Sequence, residues 1–332
     1  MKPVRLLLCA LAAVAALGAG RPAAAETPTV VLARLPGLPH LPMMIMQQQH
    51  LVEQHLAQEG LSSTKVTWLT MNGAAQTDAL ISGQVNITSA GVTNLAVIWA
   101  ATGGKVKAIA AEDAVPNYLI TSNPKVKTIA DFTNADRIAV PSVLVSPQAI
   151  MLKMASLKAF GVSTKLDALT VAMQPADATL ALLSGSGTVD SHFSIPPYQQ
   201  QEMADPKLHV VTSSYDIMGG PATVVVVSTT AAFYKNNPKT IQAVLGALDD
   251  AMAMIKNNPD EAAKIYLEAS HDTKTPQATI TAILKDPDMI YSRTPQNITK
   301  FVDFMYQIGQ IHRQPKAWTD LFFPAGQLPG GS

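Results

Sequence analysis

Beyond residue 25 the chain reads as short unbroken apolar runs separated by longer amphipathic stretches. Val30 to Ala33 predicts a strand, about Met43 to Gln58 a helix, Val66 to Leu69 a strand, Ala74 to Ser82 a helix and Val85 to Ser89 a strand; helix and strand then repeat to Glu112. Runs of Val, Ile and Leu without polar alternation suit strands covered on both faces. The order predicts an α/β fold of mostly parallel sheets flanked by helices, with ligands held beyond the carboxyl ends of the strands.

Val115-Pro116-Asn117 interrupts this pattern, and further strands are expected at Tyr118 to Thr121, Ile138 to Val140, Leu169 to Val171, Val189 to His192 and Leu208 to Thr212. A second interruption, Met218-Gly219-Gly220-Pro221, precedes an apolar strand, Ala222 to Ser228, and then helices with Asn-Pro or Thr-Pro starts. The expected organisation is a first lobe over 26–114, a second over 115–217, and a return to the first over 218–332 with C-terminal helices. Two crossings make a hinge. Ala79-Leu80-Ile81-Ser82-Gly83 is echoed by Ala181-Leu182-Leu183-Ser184-Gly185, each a helix stopped by a glycine before a strand. The echo supports two similar lobes, although helix-Gly-strand joints also recur by chance in α/β proteins.

Residues 1–25 have the three-part layout of a secretory signal peptide: Lys2 and Arg5, an apolar stretch from Leu6 to Ala19, and Ala23-Ala24-Ala25. That stretch is shorter than the roughly 20 residues a membrane span needs, so the expected product is exported and not membrane-embedded. Cys9, the one cysteine, lies inside the expected signal, leaving no disulfide, thiolate metal site or cysteine nucleophile. Cleavage would leave 21 Lys+Arg against 24 Asp+Glu, a net charge of −3. With no basic run in the remainder, nucleic acid is not an expected partner.

Four stretches together resemble the nitrate/sulfonate/taurine-type substrate-binding proteins of ABC importers, a family that also includes pyrimidine-precursor binders. Asn72-Gly73-Ala74-Ala75, with Ala79 to Ile87, is similar to the family's Gly-Ala-Ala helix followed by Ser-Gly-x-Val-Asp, Asn86 replacing the usual Asp. Ile129-Ala130-Asp131-Phe132 and Arg137-Ile138-Ala139-Val140-Pro141 resemble its Leu-Ala-Asp-Leu and Arg-Ile-Ala-Val-Pro segments. Asn237-Pro238 and Asn258-Pro259-Asp260-Glu261 resemble its paired Asn-Pro-Glu helices. The resemblance covers nearly the whole chain after residue 25. It implies a two-lobed type II periplasmic-binding fold, a periplasmic location, a small-molecule ligand and a permease partner driven by a cytoplasmic ATPase.

Candidate ligand contacts follow from the strand ends and from that resemblance. Gly73, Ala74 and Ala75 would offer free backbone N–H groups to an anion at a helix start. Ser89, Gly91 and Thr93 follow a first-lobe strand; Ser142 and Ser146 occupy the corresponding second-lobe loop, where Ser146 also reads as a helix N-cap before Pro147. Arg34 ends the first strand and could pair with an anion. The loop holding Leu38 and His40 offers apolar walls, and Met43, Met44 and Met46 either continue them or pack in the core. His192, Phe193 and Tyr118 are candidates for a polar or stacking contact.

Nothing points to catalysis or a cofactor. Asp190-Ser191-His192 has triad residue types, but neighbours on a strand alternate faces. His50 and His55, five apart, do not share a helix face, and no metal ligand set is expected. The expected activity is monomeric capture of an alkyl or aryl sulfonate or carboxylate by lobe closure. The alternatives are a periplasmic sensor or adaptor of the same fold and a receptor for a pyrimidine precursor.

Overall fold

The computed structural model describes residues 26–323, 328 and 330–332, so the expected signal peptide lies outside the described residues. The first unit runs β1 (Thr29–Arg34), α1 (Leu41–Gln48), α2 (Leu51–Gln58), β2 (Lys65–Thr70), α3 (Gly73–Ser82), β3 (Ile87–Gly91), α4 (Val92–Ala101) and β4 (Val106–Ala111). The second runs β5 (Tyr118–Thr121), β6 (Ile138–Val140), α5 (Pro147–Phe160), β7 (Thr170–Ala172), α6 (Pro175–Ser184), β8 (Ser191–Ser194), α7 (Tyr198–Met203), β9 (His209–Ser213) and α8 (Ser214–Met218). After it come β10 (Val225–Thr230), α9 (Ala231–Asn236), α10 (Pro238–Asn257), α11 (Pro259–Ser270), α12 (Gln277–Leu284) and α13 (Ile298–Gln307).

Two five-stranded sheets form, ordered β2-β1-β3-β10-β4 and β7-β6-β8-β5-β9. In each, four strands run one way. The fifth, β10 in the first sheet and β5 in the second, is antiparallel to both neighbours. Each returning strand follows a chain interruption, so the sheets are the two similar lobes that the internal echo suggested. Both lobes bury apolar strand faces under helices. Leu32, Ile87 and Val227 pack against Met44, Leu248 and Tyr266 in the first lobe, while Val140 and Phe193 lie in a core with Ile150 and Leu152.

The long helix expected over 43–58 is two helices. His50 between them has φ +51°, a left-handed conformation that ends α1 and redirects the chain. Met43, Met44 and Met46 all face the core with no exposed surface, which resolves their two readings in favour of packing. Strand β3 begins two residues later than the apolar run that suggested it. Val85 packs on Ala79 and Ala33 before the ladder to β1 starts at Ile87.

The lobes touch along one side of the gap between them. Leu38 N–H donates to the carbonyl of Pro196 (3.1 Å), and Thr93 Oγ1 donates to the carbonyl of Val145 (2.6 Å). Helix α13 packs on α4 of one lobe and α5 of the other.

Candidate ligand-binding cleft

Residues at or just after the carboxyl ends of β1, β3, β6 and β7, namely Leu35, Gly91, Pro141 and Ala172, line one gap. The gap encloses a cavity of about 530 Å³ with walls from both lobes, a volume within the range of small-molecule sites. Leu35, Pro36 and Pro39 supply one apolar side, and Met173, Pro175 and Ile195 another. Half of the polar side chains are amides, Asn72, Asn94, Gln148 and Gln174.

Helix α4, of ten residues, starts at this cavity after Gly91, and three further helices of ten residues or more start there too. Asn72 caps α3, its Oδ1 accepting from Ala75 N–H (2.9 Å), which leaves the amides of Gly73 and Ala74 without partners among the described residues. Ser146 caps α5 and Gln174 precedes α6, both followed by proline at the first helical position. Proline suits that position because its missing N–H would have no helical partner there. The positive ends of α3, α5 and α6 therefore converge on one space.

Neither lysine nor arginine is among the residues that line the cavity; Asp177, in the first turn of α6, is the one charged side chain there. His40 is held neutral: burial, reinforced by the Arg34 charge, pushes its ring down to about 3. Its Nδ1 meets Ser89 Oγ at 2.8 Å, and the Ser89 hydroxyl lies 2.6 Å from Glu112 Oε2.

Of the residues singled out from sequence, His40, Gly73, Ala74, Gly91, Ser142 and Ser146 line the cavity. The Ser142 hydroxyl has no partner among the described residues, whereas Ser146 Oγ is committed, donating to Ser142 O and accepting from Ala149 N–H. Leu38 is sealed in the core beneath the cavity wall. Ala75 has given its amide to the Asn72 cap. Thr93 clasps the opposite lobe, and Ser89 stands one layer behind His40.

The expectations for four residues need correction. Arg34 is 6 % exposed and turned back into the first lobe, its Nε donating to Gln47 Oε1 at 2.9 Å. Phe193 is wholly within the second-lobe core. His192 is equally buried, its Nδ1 2.6 Å from Glu202 Oε1 under α6 and α7. Tyr118 packs with Ile120, Leu182 and Leu208, and its phenol is raised by burial and by Asp286, Asp288 and Asp216, groups remote from the cavity lining. The shared cause for His192 and Phe193 is that β8 extends to Ser194, so the residue reaching the cavity is Ile195. Met173, Gln174 and Asp177 were missed, although they follow β7 as the strand-end rule requires.

At Gly91 the lobes come close enough that a side chain would not fit. A Cβ there would come within 2.8 Å of Pro147 Cδ and 3.0 Å of Asn94 Oδ1. Gly91→Val is expected to hold the lobes apart and to weaken ligand binding tenfold or more by calorimetry, equivalent to about 1.4 kcal/mol. Unchanged affinity would show that closure at this point is unnecessary.

The architecture is that of a periplasmic binding protein. Residues 23–267 match the model of the NMT1-like family, and the chain belongs to that family. Among solved structures it is similar to the alkanesulfonate-binding protein SsuA of Xanthomonas axonopodis pv. citri bound to MOPS, with 19% identity over 88% of this chain and 96% of that one, and a TM-score of 0.69. The periplasmic nitrate-binding protein NrtA of Synechocystis PCC 6803 is similar at 14% identity, with 92% of each chain covered and a TM-score of 0.67. A Candida albicans protein, CA3427, described as having the generic periplasmic binding protein fold, is 13% identical over 90% of this chain and 96% of its own, with a TM-score of 0.67. A search of curated protein sequences found no match. The resemblance read from the sequence motifs is borne out at the level of family and fold.

Proposed function

We propose that the protein is the solute receptor of an ABC importer, exported to the periplasm, which captures a small organic monoanion, an alkyl or aryl sulfonate or carboxylate, and is not an enzyme. The observation that carries this reading is the convergence of three helix N-termini on a mostly apolar cavity whose lining has no cationic side chain. Backbone N–H groups at helix starts favour a single anionic group, and the Pro, Leu, Ile and Met walls suit an apolar body. The similar SsuA and NrtA proteins are an alkanesulfonate-binding and a nitrate-binding protein, which supports a monoanionic ligand here.

Chain crossings between 26–114, 115–217 and 218–332 would act as the hinge, with the monomer as the working unit. Ligand contacts with both lobes stabilise the closed form by the difference in affinity between closed and open states. A permease that reads the closed shape then takes the ligand onward. Deleting the gene should abolish uptake of the anion that the purified protein binds; preserved uptake with a lost transcriptional or chemotactic response would favour the sensor reading.

A second ligand class is favoured by one feature. Asn94 and Gln148, whose side-chain amides have no partner among the described residues, supply paired donors and acceptors of the kind a pyrimidine ring requires. A pyrimidine precursor therefore belongs in any ligand panel beside the sulfonates and carboxylates.

A further inference from the structure

Behind the cavity wall lies a polar chain that a passive receptor does not require. His40 lines the cavity; Ser89 and Glu112 follow in sequence behind it, both with no exposed surface. The two links are short, 2.8 Å from His40 Nδ1 to Ser89 Oγ and 2.6 Å from Ser89 Oγ to Glu112 Oε2. His40 Nε2 has no partner among the described residues and is not one of the fully buried unpaired atoms, so the ring's open nitrogen is on the cavity side.

We propose that Glu112 is a positioning residue: through the Ser89 hydroxyl it decides which nitrogen of His40 carries the proton, and so whether the cleft meets its ligand with a hydrogen-bond donor or an acceptor. The inference rests on the cleft being the ligand site. With Glu112 protonated, its hydroxyl donates to Ser89 Oγ, the Ser89 hydroxyl donates to His40 Nδ1, and the ring proton stands on Nε2 as a donor to the cavity. When Glu112 ionises, one proton leaves to solvent. The Ser89 hydroxyl turns to the carboxylate, Nδ1–H donates to Ser89, and Nε2 presents a lone pair.

Geometry favours the first state. Glu112 Oε1 is buried and makes no well-formed hydrogen bond among the described residues, the Met43 N–H acting on the carboxyl only weakly; this is a tolerable position for a neutral carbonyl oxygen and a costly one for a carboxylate. Around the chain stand Arg34 on β1, Asp113 next in sequence, and Tyr291, whose hydroxyl donates to Leu38 O. Burial pushes Glu112 up to about 8, with the Ser89 hydrogen bond, the Met43 backbone N–H and the Arg34 charge opposing it. Burial also pushes Asp113 well above its usual range, the same direction as Glu112, against the hydrogen bonds it accepts from Val225 and Val224 N–H. Near pH 7 the cleft thus offers a neutral imidazole N–H, which selects a ligand bearing an acceptor oxygen and disfavours a cation. Above about pH 8 the selection weakens for an anion, because the donor is lost and a buried negative charge appears behind it.

The ring can be read directly, without a ligand. Long-range proton–nitrogen NMR on the protein, with the His40 signals identified by their loss in His40→Asn, distinguishes the two tautomers. The wild type should show Nε2–H at pH 6.5 and change to Nδ1–H above about pH 8, while Glu112→Gln and Ser89→Ala should each remove the change. A wild-type tautomer constant from pH 6 to 9.5, or an unaltered midpoint in Glu112→Gln, overturns the proposal. Calorimetry with benzenesulfonate, ionised throughout that range, gives the functional readout: affinity should fall by up to about tenfold per pH unit above 8 in the wild type and not in Glu112→Gln. Absence of benzenesulfonate binding at every pH would contradict the sulfonate reading of the cleft while leaving the tautomer result to decide the role of Glu112.

Discussion

Glu202→Ala is expected to lower the unfolding free energy by about 3 kcal/mol or more, because it leaves several buried polar groups without their shared partner at a cost of about 1–3 kcal/mol each. Glu202 Oε1 is the common acceptor for three buried groups: His192 Nδ1 at 2.6 Å, Thr179 Oγ1 at 2.6 Å and Ser194 Oγ at 3.2 Å. These tie helices α6 and α7 to strand β8 on the outer face of the second lobe. Alanine would leave all three without that acceptor in a place water does not reach, and each unpaired group has its own cost. Glu202→Gln keeps an acceptor oxygen and should lose clearly less. Denaturant unfolding of the two variants checks this; equal losses for Ala and Gln would place the stabilisation in packing instead of the shared acceptor.

A second large effect concerns pH. Glu112 is raised by burial from 4.5 to about 8 in the folded chain, so between those values the native state holds a proton that the unfolded chain has released. Its contribution to stability is complete below about pH 4.5 and is lost as pH rises through about 8. The loss is on the order of a few kcal/mol, and Asp113, raised in the same direction, adds to it. The protein should therefore unfold at a lower temperature at pH 8.5 than at pH 5.5. Glu112→Gln, which cannot ionise, should be the more stable form at pH 8.5 and nearly equal to the wild type at pH 5.5. A wild-type unfolding temperature that rises over this interval would be inconsistent with a Glu112 carboxyl raised by burial.

The alternation of elements was legible because strands covered on both faces must be apolar throughout, and Val30 to Ala33 or Ile138 to Val140 admit no other reading. Glycine and proline punctuation also carried through. Gly83 and Gly185 occupy left-handed positions after α3 and α6. Asn237-Pro238 and Asn258-Pro259 open α10 and α11. What sequence could not show was the end of a strand to within two or three residues. That error matters little for the fold but decides which side chain faces a ligand. Ending β8 at His192 placed two core residues in the cleft, and Ile195 was passed over.

Arg34 shows a different limit. It stands at a strand end, where an anion contact is reasonable, yet which way its side chain turns depends on Gln47 thirteen residues on. Glu112 gave no signal at all, since one acid after an apolar run reads as the solvent-exposed end of a strand. Its role emerges only when β3 and the segment before α1 bring Ser89 and His40 alongside it.

The most direct measurement is thermal unfolding of the purified chain, first unfolded and refolded to strip any carried ligand, against sulfonates, carboxylates, aromatic acids, nitrate and pyrimidine precursors at neutral pH. A compound present at 100 times its dissociation constant adds about 2.7 kcal/mol to stability. The account predicts a clear upward shift with an organic monoanion and none with cations. No shift with any anion, or a shift confined to cationic or neutral compounds, would contradict it.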